Sequence, residues 1–148
     1  MKHQIATNPD QSNRLLACGV DPNTADMYIS INMCPGENYG KYSTRVLGED
    51  LITLSKILRS IDYEPAWSLS ALLALLPTEI KEEISRFDEI QTYGLLIYPY
   101  MQGWQIDYQY CEDDECHCLK CVHGSDLIEA CVKAIEWLTA NGYTLNTK

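Results

Sequence analysis

Basic side chains are scarce in this chain. Across 148 residues there are 11 Lys and Arg against 21 Asp and Glu, a formal net charge of −10. A protein that grips phosphate backbones carries a basic face, so this deficit argues against direct nucleic-acid binding. It argues equally against an anionic membrane surface. Long hydrophobic runs are missing too. The richest stretch, residues 69–76, has Ser70 inside it and falls far short of the ~20 residues a membrane helix needs. The first ten residues hold no apolar h-region, so the expectation is a cytoplasmic protein without a secretory signal. No Gly-rich phosphate loop, G-x-S-x-G or H-E-x-x-H occurs, which leaves no catalytic residue to name and points away from an enzyme. Internal repeats, low-complexity tracts and a Pro/Gly/Ser linker are also lacking. The expectation is one globular domain over 1–148, with 1–7 and 146–148 frayed.

What is present is an ordinary soluble composition, 46% hydrophobic and 22% charged. At this length a fold can bury a substantial core. Residues 8–18 read as a short helix, with Asn8 as N-cap, Pro9 at the first helical position and Gly19 past the end. Asp21-Pro22-Asn23-Thr24 is turn chemistry, and 27–31 a short strand. Residues 32–48 read as loop. Leu51, Leu54, Ile57 and Leu58 predict a helix over 49–60, broken at 62–65. Ser68 caps a second amphipathic helix over 69–76, ended by Pro77. In 78–87 the spacing of Ile80 and Ile84 suits another helical turn.

Strands follow. Residues 93–98 are apolar on both faces, as in a central strand, and Met101-Gln102-Gly103 is a hairpin loop. Trp104, Ile106, Tyr108 and Tyr110 alternate with Gln105, Asp107 and Gln109, the clearest period-2 signal in the chain. After an acidic turn at 112–115, residues 116–122 return as a third strand. A helix over 126–141 closes the chain, with Ser125 as N-cap, Gly142 at its end, and Leu127, Cys131, Ala134, Ile135 and Leu138 as its buried stripe. The fold class is therefore α+β: a small antiparallel meander of three or four strands with helices packed on one face.

Three stretches carry a likeness. They are Gln11-Ser12-Asn13-Arg14-Leu15-Leu16 with Gly19-Val20 and Thr24-Ala25-Asp26-Met27; Pro65-Ala66-Trp67-Ser68-Leu69 with Leu72-Leu73 and Leu75-Leu76-Pro77; and Ala134-Ile135-Glu136-Trp137-Leu138 with Asn141-Gly142. Together they resemble a set of short uncharacterised proteins from prophages and mobile elements of gut Bacteroidetes. The resemblance implies provenance, a bacterial cytoplasm and an accessory gene, and brings no activity with it. The cysteine-rich hairpin at 111–121 lies outside the shared pattern.

Seven cysteines is a notable count for a chain expected in a reducing cytosol, where they would be thiols or metal ligands. Cys111, Cys116, Cys118, Cys121 and His123 form the one cluster with ligand chemistry, since zinc takes Cys and His in fours. With Cys111 opposite Cys116, strict alternation pairs Asp107 with Lys120, Tyr108 with Leu119 and Ile106 with Cys121. Cys111, Cys116 and Cys118 then share the outer face while Cys121 points into the core. A four-ligand site would need a bulge or a ligand from elsewhere, such as Cys34. The expected state is thus an ordinary hairpin with exposed, oxidation-prone thiols and no cofactor, zinc being the alternative, and a Cys111–Cys116 disulfide is expected only after purification and not in a reducing cell.

Cys18 and Cys131 fall on apolar helix faces as core filler, and Cys34 has no histidine near it in sequence. His3 lies in the tail, and His117 and His123 at strand positions. The acidic groups at 49–50, 82–83, 88–89 and 112–115 read as solvated surface. Trp67, Trp104 and Trp137 read as packing. Of the ten tyrosines, Tyr98, Tyr100, Tyr108 and Tyr110 gather on one hairpin as a candidate contact patch. The leading expectation is a small non-enzymatic protein that acts by protein–protein contact. The alternatives are an acidic nucleic-acid mimic that occupies a host DNA-binding enzyme, and a zinc-stabilised binding module built on 111–123.

Overall fold

A computed structural model describes residues 4–31, 35–46, 63–84 and 89–147. The helix expected over 49–60, Cys34 and His3 lie outside these residues. The fold is α+β. The order is α1 (Pro9–Ala17), β1 (Met27–Ile31), β2 (Tyr42–Val46), β3 (Tyr63–Ala66), α2 (Leu69–Leu75), β4 (Glu79–Ile84), β5 (Glu89–Tyr100), β6 (Gly103–Glu112), β7 (Glu115–Gly124) and α3 (Leu127–Ala140). There are two antiparallel sheets rather than one, ordered β2-β1-β3 and β4-β5-β6-β7. No helix among the described residues is long and apolar enough to cross a membrane. The described residues divide into two compact units, one up to residue 72 and one from residue 73.

In the first unit α1 starts as its sequence dictates. The Asn8 side chain accepts from the Gln11 amide at 2.8 Å, and the Gln11 side chain accepts from the Asn8 amide at 3.1 Å, a reciprocal capping box. Gly19 ends the helix at a φ of 84°. Residues 6 and 7, expected to fray, are held. Ala6 bridges to Ser68, and the buried Thr7 donates its amide to the Trp67 carbonyl at 2.9 Å while its hydroxyl accepts the Trp67 amide at 3.0 Å. Trp67 is fully buried and donates its indole N–H to Thr24. Ala6, Met27, Ile29 and Ala66 form a small buried core. Two strands stand where loop and breaker chemistry was expected. β2 occupies part of the 32–48 stretch, and β3 contains Pro65. Pro65 is tolerated because β3 is an edge strand, where a missing N–H costs no ladder bond on the open side.

In the second unit β4 is a strand, not a helical turn. Spacing by four residues keeps Ile80 and Ile84 on one face in either period, so the signal could not separate the two. Charges at Glu79, Lys81, Glu82 and Glu83 suit β4 to the sheet edge, where they block pairing with other chains. Two-residue turns join the long strands, with positive φ at Met101 and Gln102 and at Asp113 and Asp114. α3 packs on β6 and β7, burying Ile128, Cys131, Val132, Ala134, Ile135 and Leu138. Its N-cap is Asp126, which accepts the Glu129 amide at 2.8 Å, in place of the expected Ser125. Tyr108 anchors this face. It is buried, stacks on Trp137 with centroids 6.4 Å apart, and donates its hydroxyl to the Pro77 carbonyl at 2.8 Å. Near the end of the chain, in the stretch expected to fray, Asn146 is bound through its amide and side chain to the carbonyls of Leu75 and Leu76.

Gly124 sets how closely α3 can follow β7. A Cβ there would stand 2.8 Å from the Asp126 carbonyl oxygen and closer still to the Ala130 amide. Backbone cannot yield as a flexible side chain can. Gly124→Ala is therefore expected to cost at least about 2 kcal/mol, measured as a lower urea midpoint with unchanged slope. An unchanged midpoint would show that α3 does not need this close approach.

Candidate functional site

Sheet parity distributes the side chains of β5, β6 and β7 to two faces. The face under α3 carries Ile97, Ile106, Tyr108, Tyr110 and Val122. The other face carries Leu96, Tyr98, Tyr100, Gln105, Asp107, Gln109 and Cys111, together with the β7 residues opposite them. At the hairpin tip the expected register holds, with Cys111 opposite Cys116 and Gln109 opposite Cys118. Beyond it a bulge at the Tyr108/Gln109 step leaves Leu119 unpaired, and the pairs become Tyr108 with Lys120, Asp107 with Cys121, and Ile106 with Val122. This corrects the parity expected from strict alternation. Cys121 turns outward and Val122 takes the core position.

Energy favours the shift. Burying a whole valine is worth roughly 1.5–3 kcal/mol. The ladder bond that a bulge disrupts is worth about 1 kcal/mol net. Val122 is 8% exposed, opposite the fully buried Ile106, so the gain is realised. As a result Cys111, Cys116, Cys118 and Cys121 all stand on the face away from α3. They are joined as Cys111–Cys116 and Cys118–Cys121, both of them exposed pairs. The thiols expected in a reducing cell stand here as two disulfides, of which Cys118–Cys121 was not among the pairings the sequence suggested. Cys131 stays a buried free thiol, its pKa pushed up to about 12 by burial, and Cys18 is free and half-buried.

Asp107 lies among these cysteines and is 3% exposed. Its Oδ2 accepts the Tyr98 hydroxyl at 2.6 Å and its Oδ1 accepts the Gln105 amide at 3.0 Å; the same Gln105 nitrogen also donates to the Tyr98 oxygen at 2.8 Å. This triangle holds the carboxylate in one orientation. Donor atoms of Asp107, Cys118 and Cys121 lie within 4.8 Å of one another. Cys111, four residues along β6 from Asp107, stands about 13 Å away by strand rise, too far to share an ion with Cys121. The ligand set Cys111, Cys116, Cys118, Cys121 and His123 is therefore not one site. His123 shares the outer face, but its Nε2 meets the Tyr100 carbonyl at 3.0 Å. His117 is on the opposite face, stacked on Tyr110 with centroids 4.8 Å apart.

The four-tyrosine patch is likewise divided. Tyr98 and Tyr100 share the outer face, edge to face at 6.3 Å, whereas Tyr108 and Tyr110 belong to the helix-covered face. Sequence reasoning missed Asp107 as a member of the cluster. The Cys118-x2-Cys121 spacing was the available signal, because an odd step between like residues in one strand is what a bulge produces.

No family model, curated protein or solved structure matches this chain. The chemistry of the face must be read from its own residues.

Donation to the Asp107 carboxylate, reinforced by burial, pushes the Tyr98 hydroxyl up to about 12 from its usual 10. A raised folded-state pKa favours the protonated tyrosine. Its stabilising contribution is complete below pH 10 and is lost as pH rises through 12. Asp107→Asn removes the negative acceptor. It is expected to return one tyrosine toward 10 in an absorbance titration of tyrosinate and to flatten that part of the stability–pH curve. A tyrosine count titrating near 10 that is the same in both proteins would rule out the Tyr98–Asp107 bond.

Proposed function

We propose that this chain is a small non-enzymatic binding module of the bacterial cytoplasm, an accessory-gene product that works through contact with another protein. The supporting observation is the sheet face away from α3, which keeps Ile90, Leu96 and Tyr100 at 64%, 42% and 49% exposure. They are spaced along β5, about 20 and 13 Å apart by strand rise, and give one face of the sheet an exposed apolar line. The rim adds sign. On β4 this face carries Glu79, Lys81 and Glu83, Lys81 being paired with Glu79 at 3.6 Å, and residues 112–115 close the hairpin tip with four acids. A partner that fits has an apolar centre and a basic rim, and opposite charge would speed the encounter more than it tightens the complex. In a reducing cytoplasm the two cysteine pairs on this face would be dithiols. The nucleic-acid-mimic reading gains no support, because acids on β4 alternate faces, Glu82 opposing Glu79 and Glu83, and form no regular stripe at phosphate spacing.

A photo-crosslinking residue placed at Leu96, on the open face, and separately at the exposed Ala140 of α3 tests this reading. In lysate of a gut Bacteroidetes host, position 96 is expected to trap one discrete protein that position 140 does not. Tyr100→Glu in the position-96 protein is expected to cut the yield about tenfold, the effect of losing about 1.4 kcal/mol at an interface anchor. Equal trapping at both positions, or none at position 96, would defeat the proposal.

A further inference from the structure

The geometry points to a zinc-class cation site made of Asp107, Cys118 and Cys121, available once the Cys118–Cys121 disulfide is reduced. The inference stands on side-chain placement alone and does not require the protein partner proposed above. Three observations carry it. The donor atoms already lie within 4.8 Å of one another. Tetrahedral zinc, with sulfur at 2.3 Å and oxygen at 2.0–2.2 Å, holds its donors about 3.5–3.8 Å apart, a change that side-chain rotation can supply. The bulge at Leu119 is what brings Cys118 and Cys121 to the same face as Asp107.

The second observation concerns the carboxylate. Buried charges are normally paired or bound to metal. Asp107 is buried with two neutral donors, Tyr98 and Gln105, and no cationic side chain pairs with it among the described residues. A carboxylate offers about four lone-pair positions, and two are used. A divalent cation would fill an electrostatic need that the described residues leave open. Tyr98 and Gln105 would then do what outer partners do at metal centres, fixing the ligand's orientation.

The third is donor chemistry. Two thiolates select borderline and soft ions, zinc among them, over magnesium or calcium. Three protein ligands leave the fourth position to water or to a donor from a bound molecule. Cys111 and Cys116 form the neighbouring pair, outside this donor set, and supply an internal control.

The chemistry balances in two steps. The disulfide takes up two electrons and two protons: a phosphine supplies the electrons and becomes its oxide with the oxygen of one water, which also supplies the protons, or a dithiol supplies both and becomes its own disulfide. This leaves two thiols on the protein. Zinc binding then forms two Zn–S bonds and releases the two thiol protons to solvent, so acid opposes binding.

The test is a titration of the phosphine-reduced full chain with zinc alone, read by native mass spectrometry. Cobalt serves as a spectroscopic stand-in whose sulfur-to-metal charge-transfer band reports thiolate ligands. One zinc per chain is expected in the reduced protein and none in the oxidised protein, with two protons released per zinc. Cys118→Ser and Asp107→Asn are each expected to weaken binding by at least tenfold, and Tyr98→Phe by about 10- to 100-fold. The double variant Cys111→Ser/Cys116→Ser should bind as the parent does. Because the parent titration needs no substitution, misfolding of a variant cannot rescue the proposal. Absence of stoichiometric zinc in the reduced parent, or binding lost in the Cys111→Ser/Cys116→Ser protein and kept in Cys118→Ser, would overturn it.

Discussion

A single unpaired residue, Leu119, decides what every later side chain of β7 does. Strands alternate with a period of two, so one extra residue exchanges the two faces from that point on. Upstream of Leu119 the hairpin follows the simple register from its acidic tip. Downstream, Val122 is carried into the core against Ile106, Gly124 reaches the place where α3 comes closest, and Cys121 swings to the outer face. Packing of α3 and assembly of the thiol–carboxylate cluster are therefore two consequences of one local irregularity.

This coupling explains the uneven division of labour between the two faces. One is fixed by apolar bulk. Tyr108, Ile106 and Val122 are buried on the face that α3 covers, with Tyr108 stacked on the Trp137 ring. The other is fixed by polar geometry, where Tyr98 and Gln105 triangulate the Asp107 carboxylate. A buried hydrogen-bonded acid contributes little net stability, but it specifies orientation strongly, because losing either partner strands a polar atom. The outer face is thus more ordered than its exposure suggests, and that order lies where the cysteines are.

The parts of the fold legible in the sequence were those governed by strictly local rules. The Asn8 N-cap, the Gly19 and Gly142 helix ends, the Met101-Gln102 turn and the alternation from Trp104 to Tyr110 all depend on residues a few positions apart. What local rules could not settle was set by partners distant in sequence. β3 exists because Tyr63–Ala66 pairs with β1, more than thirty residues earlier, which overrides the breaker tendency of Pro65. β4 was ambiguous because Ile80 and Ile84 satisfy both periods, and pairing with β5 chose the strand. At the candidate site, four of the cysteines were visible as a cluster, yet their common face was not. Strict alternation is the default for a strand, and only the burial of Val122 in place of Cys121 reveals the departure.

The contents of the outer face also constrain one another. An open apolar face with exposed cysteines is a hazard in an oxidising setting, since intermolecular disulfides would join copies through it. Pairing the cysteines within the hairpin, Cys111 with Cys116 and Cys118 with Cys121, removes that hazard. Metal on Cys118 and Cys121 would remove it for that pair in the reduced state. Both outcomes need the two sulfurs adjacent on one face, and the Leu119 bulge provides this. Oxidation or metal occupancy would then change the charge and shape of the surface beside Leu96 and Tyr100 while leaving the α3-covered core untouched. Recognition at that surface would follow the redox and metal state of the cell even though the fold itself does not.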